Sequence, residues 1–225
     1  MRDKGNLLFN ESLGGYYKQD WNEYFPSIIK LVPSNSFVLD CGCGRGGLLA
    51  YLRDSKDCRV IGLDLSDDAI KASKEKFIDI IKLDLDEDKL TGTYDVIILS
   101  SVLESLIDPI SILKKLKNNL NENGSIIVGV PNFSYIFSRI QYLLGKNVKR
   151  YGGSEEDRKI GLFGYDDIQF FNKSILSNVL NKAGYSAMEW SYVPSKGSVS
   201  ILSKLFLNKP PELFSPFIVV KASKA

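Results

Sequence analysis

Residues 38–47 read Val38-Leu39-Asp40-Cys41-Gly42-Cys43-Gly44-Arg45-Gly46-Gly47, and this stretch decides the fold class of the chain. It leaves a short apolar strand, passes through the pattern G-x-G-x-x-G at Gly42, Gly44 and Gly47, and enters an apolar helix. A strand, a glycine turn and a helix in this order begin a βαβ unit whose turn approaches a bound nucleotide. Dinucleotide-binding proteins share the pattern, so the glycines alone do not identify the ligand.

Asp40, two residues before the first glycine, separates the ligand classes. A carboxylate beside the turn repels a pyrophosphate placed on the helix N-terminus. It suits a ligand with positive charge at the turn, and S-adenosylmethionine carries an ammonium and a sulfonium but no phosphate. Asp40 therefore favours S-adenosylmethionine, and a nicotinamide or flavin oxidoreductase is the alternative that it disfavours.

Apolar strands alternate with helix patterns along the chain. The predicted strands are residues 37–40, 59–64, 78–84, 94–99 and 125–130. Three helices are predicted between the strands: one after the glycines, one capped by Ser66 and one that begins at Asp108-Pro109. The third helix ends at Asn123-Gly124, and its apolar stripe is Ile112, Leu113, Leu116 and Leu120. This alternation predicts right-handed βαβ crossovers and a parallel sheet, which is the α/β class.

The two ends of the chain follow a different pattern. A helix interrupted at Pro26 is predicted within residues 16–32, and residues 133–144 are amphipathic and aromatic. A helix capped by Asn172 is predicted over 172–183, with strands at 187–193 and 216–224.

Composition excludes several function classes. The 225 residues are 44% hydrophobic and 25% charged, as in one globular domain, and the net charge of +2 gives no sign of a nucleic-acid partner. The chain has no histidine, which excludes the commonest general base, histidine-containing triads and most catalytic zinc sites. Three cysteines without a histidine do not complete a four-ligand zinc site, so no metal is predicted.

Targeting and membrane signals are weak. The apolar run Leu7-Leu8-Phe9 is cut short by Asn10 and Glu11, and no stretch approaches the roughly 20 apolar residues of a membrane helix. The sequence therefore predicts a cytoplasmic protein without a membrane span.

Residues 38–46 resemble the glycine motif of class I S-adenosylmethionine-dependent methyltransferases, hydrophobic-hydrophobic-Asp-x-Gly-Cys-Gly-x-Gly, with Cys41 where leucine is usual. The resemblance extends over roughly residues 35–190. It implies a Rossmann-like open twisted sheet, mostly parallel with an antiparallel C-terminal strand, and helices on both faces. It also implies that the methionine part of S-adenosylmethionine lies against Asp40, Gly42, Cys43, Gly44 and Gly46.

Later strand ends complete the cofactor site that the resemblance implies. Asp64, 18 residues after Gly46, is placed to accept hydrogen bonds from the ribose hydroxyls, with Leu65 beside it. Asp84 and Leu85 match the position that contacts the adenine edge, and Ser100 and Ser101 match the floor of the site. The alternatives are structural: each aspartate caps the following helix, and the serines form a turn.

The acceptor side of the site departs from the family pattern. Residues 102–109 resemble a segment usually written Leu-Glu-His, but Ser105 replaces the histidine, so that residue's role is not carried over. Glu104 is a candidate for positioning the cofactor or the acceptor, and a helix-terminal acid is the alternative.

Residues 130–133 and 161–171 are similar to segments of methyltransferases of polysaccharide pathways and of MetW-like proteins. Asp167 stands where the first group has a histidine. If the acceptor must lose a proton, Asp166 or Asp167 is the predicted general base, and the other candidates are Glu104, Tyr16, Tyr17 and Tyr151. The aromatic segment is predicted to be an acceptor lid, and its alternative is that the aromatic residues belong to the core.

These patterns predict one methyltransferase domain over residues 1–225. Its parts are an N-terminal helical segment (1–34), a cofactor-binding core (35–130), the acceptor lid (131–171) and a C-terminal helix with strands (172–225). The predicted function is methyl transfer to a small-molecule or sugar-like acceptor, and a non-catalytic MetW-like accessory protein is the alternative.

Overall fold

The computed structural model describes residues 22–145, 168–193 and 211–225. The strands are β1 (Phe37–Cys41), β2 (Arg59–Asp64), β3 (Ile80–Lys82), β4 (Tyr94–Ser100), β5 (Leu120–Pro131), β6 (Tyr185–Tyr192) and β7 (Phe217–Lys224). The helices are α1 (Phe25–Leu31), α2 (Gly47–Lys56), α3 (Asp67–Lys74), α4 (Pro109–Lys117), α5 (Ile136–Leu143) and α6 (Lys173–Lys182), with short 3-10 helices at Leu103–Ser105 and Pro211–Phe214. No helix in these ranges is long and apolar enough to span a bilayer.

The seven strands form one sheet in the order β3-β2-β1-β4-β5-β7-β6. The neighbours from β3 to β5 pair in parallel, whereas β7 is antiparallel to both β5 and β6. The predicted mostly parallel sheet with an antiparallel C-terminal strand is confirmed. The strand order reverses between β1 and β4, and open α/β sheets bind ligands at such a reversal, outside the carboxyl ends of the strands.

Strand register brings the predicted site residues to one edge. Asp40 pairs with Gly62 of β2 and with Ile98 of β4. Asp64 and Ser100 each lie two residues beyond those partners and end their strands. The carboxyl ends of β1, β2 and β4 therefore carry polar groups side by side.

Helices cover both faces of the sheet and bury the apolar middle of β4 from Val96 to Leu99. Val96 and Ile98 pack with α1 and α2, whereas Ile97 and Leu99 point to the opposite face, which α4 and α6 cover. This alternation explains why residues 96–99 of β4 are all apolar, because successive side chains of a strand face opposite layers.

The three predicted helix caps are confirmed. The Ser66 hydroxyl accepts a hydrogen bond from Ala69 N at 3.2 Å, the Asp108 carboxylate from Ser111 N at 3.0 Å, and the Asn172 side chain from Ile175 N at 2.9 Å. Each satisfies a backbone donor that the first helical turn leaves open.

The end of α4 differs from the prediction. This helix ends at Lys117, and Leu120 begins β5 opposite Tyr94 instead of continuing the helical stripe. Asn119 fixes the change because its side-chain nitrogen donates to the carbonyls of Leu90 and Gly92. Asn123 and Gly124 then lie within β5, where the register with β4 shifts.

Two predicted strand boundaries also move. The strand predicted over residues 78–84 is paired only over Ile80–Lys82, and β6 begins at Tyr185, two residues earlier than predicted.

Candidate functional site

The glycine turn is tied to the end of β2. Gly42 N and Cys43 N both donate to the carbonyl of Leu63, at 2.8 and 3.0 Å. Gly42 has a φ of +71°, and a Cβ placed there would lie 2.4 Å from Val102 Cγ2. Only glycine fits this position, because a side chain would meet both the strained backbone and Val102.

Gly44 occupies the open part of the same turn. Its φ is +52°, and a Cβ placed on it would have no atom of the described residues within 4 Å. Gly42 is therefore needed for packing, whereas Gly44 leaves open space beside the backbone.

Asp64 joins this turn to the start of α3 through its two carboxylate oxygens. Oδ2 accepts a hydrogen bond from Gly44 N at 2.8 Å, and Oδ1 accepts one from Ser66 N at 2.9 Å. The N-cap of α3 is Ser66, so the helix-cap alternative for Asp64 is not what the structure has. The side chain is half-buried, and each oxygen retains a lone pair for a ligand donor.

Asp40 is the strongest electrostatic feature of the site. It is 3% exposed, and its Oδ1 has no hydrogen-bond partner among the described residues. Burial, together with the nearby charge of Asp64, raises the pKa of Asp40 from 3.8 to about 8. A buried carboxyl oxygen without a partner is costly, and a donor or cation placed beside it would remove that cost.

Ser100 and Ser101 were predicted either to form the floor of the cofactor site or to form a turn, and the structure places them differently. Ser101 has a φ of +56° and donates its N–H to the carbonyl of Gly129 at 3.0 Å, so it forms the turn. The Ser100 hydroxyl is buried at the end of β4, where the Tyr24 hydroxyl is its neighbour.

Glu104 is buried in the 3-10 helix that follows β4, with 3% of its surface exposed. Its carbonyl accepts hydrogen bonds from Ile168 N and Gln169 N, both at 2.9 Å. The segment after β4 is thereby joined to the segment before α6. The predicted bases Asp166 and Asp167 lie outside the described residues, as do Tyr16, Tyr17 and Tyr151.

Asp84 is engaged in its own loop. Its carboxylate accepts a hydrogen bond from Asp86 N at 2.9 Å, and its N–H donates to Asp88 at 2.8 Å. Leu85 is half-buried against the core, whereas Leu65 is 54% exposed at the end of β2. The contact of Asp84 and Leu85 with adenine stays a prediction, as does the place of Leu65 in the cofactor site.

Most aromatic residues in the described part of the predicted lid are exposed. No residue of α5 is buried, and Phe133, Tyr142 and Phe170 are each more than a third exposed. The Phe133 ring contacts the other two at 5.7 and 5.3 Å between centroids. These three rings form an exposed aromatic cluster, whereas Phe171 next to them is buried.

Tyr24, within the helix predicted over residues 16–32, lies at the site although no sequence pattern pointed to it. Its hydroxyl interacts with Ser100 and Ser101 at the end of β4. Burial raises the pKa of Tyr24, and the carboxyls of Asp40 and Glu104 add to the rise against the effect of the two serines. No local spacing distinguishes Tyr24 from the other aromatic residues of its segment.

No metal centre is evident at the site. Within the described ranges, no group of three or more cysteine and acidic side chains is arranged to hold an ion.

Comparison with known proteins identifies the family. A family model described as a methyltransferase domain matches residues 14–189. A bifunctional methionine biosynthesis protein MetXA/MetW from Rhodopirellula baltica is 29% identical over 143 residues, which are 58% of this chain and 22% of that protein. A ubiquinone biosynthesis O-methyltransferase from Nitrosomonas europaea is 29% identical over 125 residues, 49% of this chain and 52% of that protein. The chain thus spans between about a fifth and half of these relatives.

Solved structures agree in fold. An S-adenosylmethionine-dependent methyltransferase from Mesorhizobium loti superposes with a TM-score of 0.66 at 16% sequence identity. The aligned region covers 90% of this chain and 98% of that protein's chain. A putative methyltransferase from Haloferax volcanii, solved with its Trm112 activator, has a TM-score of 0.66 at 14% identity over 100% and 99% of the two chains. The predicted Rossmann-like methyltransferase fold is confirmed.

Proposed function

The chain belongs to the methyltransferase-domain family, and we propose that it transfers a methyl group from S-adenosylmethionine to a small-molecule or sugar-like acceptor. One observation carries the proposal: the buried Asp40 carboxyl, at the strand end that leads into the glycine turn, has an oxygen without a partner among the described residues, and the same turn leaves open space at Gly44. That combination fits a cation that lies close to the backbone. It does not fit a dinucleotide, because Asp40 and Asp64 would face its pyrophosphate.

The residues present fit the proposed cofactor. Asp40 and the turn from Gly42 to Gly46 would hold its methionine part, and Asp64 would accept hydrogen bonds from its ribose. Leu65, Asp84 and Leu85 would lie along adenine, with Ser100 and Ser101 beneath. When bound, S-adenosylmethionine supplies a methyl group already activated on a sulfonium.

In this proposal the chain accelerates methyl transfer mainly by orienting the cofactor and the acceptor towards each other. Holding two reactants in line supplies the equivalent of about 7–11 kcal/mol towards the barrier. The fixed turn and the buried Glu104 beside the end of β4 are rigid elements suited to this task.

Several relatives support a small-molecule acceptor. The similar proteins include a tetrahydroprotoberberine N-methyltransferase of Eschscholzia californica and ubiquinone biosynthesis O-methyltransferases. A ribosomal protein L11 methyltransferase of Lactobacillus johnsonii is also similar, so a protein acceptor is an outcome that the assay must include.

Calorimetric titration tests the cofactor. S-Adenosylmethionine and S-adenosylhomocysteine are expected to bind with dissociation constants of about 1 μM, and NAD is expected to give no binding heat. Tight binding of NAD, with neither adenosyl compound bound, would refute the proposal.

Gly44→Ala is expected to weaken binding of S-adenosylmethionine, and its φ of +52° should cost the fold about 1–2 kcal/mol. The added methyl group meets no protein atom but enters the space proposed for the cofactor, where overpacking costs about 1–3 kcal/mol. Calorimetry and thermal denaturation measure the two effects. Gly145→Ala is the matched control, because Gly145 also has a positive φ (+66°) and open space around its Cβ position. Equal affinity of both variants would place the cofactor away from Gly44.

The double variant Asp166→Asn/Asp167→Asn is expected to slow transfer to an acceptor that must lose a proton by about 10²–10⁴-fold, the usual contribution of a general base. Cofactor affinity should stay unchanged. Initial rates with S-adenosylmethionine and a panel of hydroxyl- and amine-bearing acceptors measure the effect, and an unchanged rate would eliminate both residues as the base.

A second candidate is a MetW-like accessory protein, which the match to the Rhodopirellula baltica protein favours. Such a protein would bind S-adenosylmethionine and show no turnover with any acceptor of the panel. Methyl transfer to one of them would exclude it.

A further inference from the structure

Exposed apolar side chains are concentrated in three short segments of the described chain. Of the thirteen large hydrophobic residues that are exposed there, one is at position 107, five lie within residues 133–144 and two within residues 168–170. Large apolar side chains that are exposed singly need no explanation, whereas a group of them on one surface marks a binding site. The question is therefore whether these segments meet.

Backbone hydrogen bonds bring the three segments together. Ile168 N and Gln169 N both donate to the carbonyl of Glu104, which lies in the loop after β4, at 2.9 Å. Phe133 N, just beyond β5, donates to the carbonyl of Phe171 at 2.8 Å. The segment before α6 is thus bonded to the loop after β4 on one side and to the end of β5 on the other. Together the three segments form one apolar surface.

The exposed aromatic cluster of Phe133, Tyr142 and Phe170 joins α5 to this surface. The ring planes of its two contacting pairs are tilted by 47° and 48°, so no ring lies flat on another. The three side chains are 37–45% exposed. Because aromatic rings pack favourably in offset or edge-to-face arrangements, the uncovered faces and edges can receive a further flat ring.

The apolar surface adjoins the end of β4, which is part of the proposed cofactor site. Ser100 pairs with Gly129 of β5, and Phe133 follows Gly129 by four residues. The buried Glu104 interacts electrostatically with Tyr24, whose hydroxyl contacts Ser100. A molecule bound on this surface would therefore lie next to the bound methyl donor.

We propose that the apolar surface binds the methyl acceptor, and that this acceptor is built on a flat, apolar aromatic ring system. The inference rests on the proposed function and narrows its small-molecule or sugar-like acceptor to this class. A sugar brings several hydroxyl groups, and each one that is buried needs a polar partner. The aromatic and aliphatic side chains that dominate the surface offer no such partners.

Three probes test the class of acceptor on the protein saturated with S-adenosylhomocysteine. Ligand-observed NMR titration should give 2-naphthol a dissociation constant of about 1 mM or lower. Phenol, which lacks the second ring, should bind about 10-fold more weakly, and methyl β-glucopyranoside should not bind. Absence of 2-naphthol binding, or binding of the glucoside as tight as that of 2-naphthol, would overturn the proposal.

Variants locate the binding of 2-naphthol. Phe133→Ala and Phe170→Ala should each weaken it about 10-fold, while the affinity for S-adenosylhomocysteine stays within about twofold of the wild type. Phe77→Ala is the matched control, because its ring is 88% exposed beside the edge strand β3, which three strands separate from β5. Equal losses in Phe77→Ala and the two cluster variants would overturn the proposal, and thermal denaturation checks that each variant folds.

Two other occupants of the surface would give different results. A membrane would make the wild type co-sediment with phosphatidylglycerol vesicles, and a second copy of the chain would make it sediment as a dimer. Loss of either behaviour in Phe133→Ala would assign the surface to that occupant and overturn the proposal. Failure of the wild type to bind S-adenosylhomocysteine would instead refute the proposed function.

Discussion

Replacing Asp64 with alanine is expected to weaken binding of S-adenosylmethionine about 100-fold or more while the domain stays folded. Two hydrogen bonds from ribose hydroxyls to the carboxylate would be lost, and each contributes about 1.5–3 kcal/mol. Alanine also removes the acceptor that holds Gly44 N at 2.8 Å, so the turn loses its side-chain tie to the end of β2. Because the side chain is only half-buried, water can satisfy the freed N–H groups, and the loss of stability should be about 1 kcal/mol.

Calorimetry measures the affinity, and thermal denaturation checks the fold. Asp67→Ala serves as the control, because Asp67 lies three residues later, its side chain is 83% exposed, and its ion pair with Lys82 is on the surface. That variant should bind S-adenosylmethionine as the wild type does. If Asp64→Ala kept the wild-type affinity, the ribose would have to lie elsewhere.

Local interactions made much of the fold predictable from the sequence. The caps Ser66, Asp108 and Asn172 bind N–H groups three residues away, so a short window of sequence contains both partners. Leu120 was misassigned because its spacing from Leu116 fits a helix. The contact that decides its structure is with Tyr94, on a different strand, and no helical period describes that contact.

Some residues of the site were likewise predictable from the sequence, and others were not. Asp40, Asp64 and Ser100 were predictable together because the parallel strands they end or nearly end reach one edge of the sheet. Tyr24 was not predictable, since its position depends on Phe217 near the other end of the chain. The same holds for Asn132, whose buried side chain donates to the carbonyls of Glu212 and Ser215 and thereby anchors the end of β5.

Asp40→Asn is expected to stabilise the unliganded protein increasingly as the pH rises. The folded chain keeps the Asp40 proton up to a pKa of about 8, whereas the unfolded chain releases it near 3.8. Unfolding therefore releases a proton between these values, and the wild-type free energy of unfolding falls by about 1.4 kcal/mol per pH unit. Between pH 5 and pH 8 this amounts to about 3–4 kcal/mol, and asparagine, which does not titrate, should remove it.

Urea denaturation of both proteins at pH 5 and pH 8 measures this difference. The neighbouring thiols of Cys41 and Cys43 do not contribute, because burial raises the pKa of each and keeps both neutral in this range. Asp67→Asn, at an exposed position, should follow the wild-type slope. Equal slopes for Asp40→Asn and the wild type would mean that Asp40 does not hold its proton in the fold.

Asp40→Asn should also bind S-adenosylmethionine more weakly. The acid that lowers the stability of the unliganded fold would then be the group that binds the cofactor. A cation beside the carboxyl favours the ionised form, so binding to the wild type releases the proton and the affinity should rise with pH up to about 8. Asparagine offers neither the charge nor the proton, and its binding curve should be flat over that interval. A protein that gains stability and loses affinity by one isosteric change would show that the buried acid is retained for the ligand. If affinity and its pH dependence were unchanged in Asp40→Asn, the partnerless oxygen would face no cation, and the argument that selects S-adenosylmethionine over a dinucleotide would lose its basis.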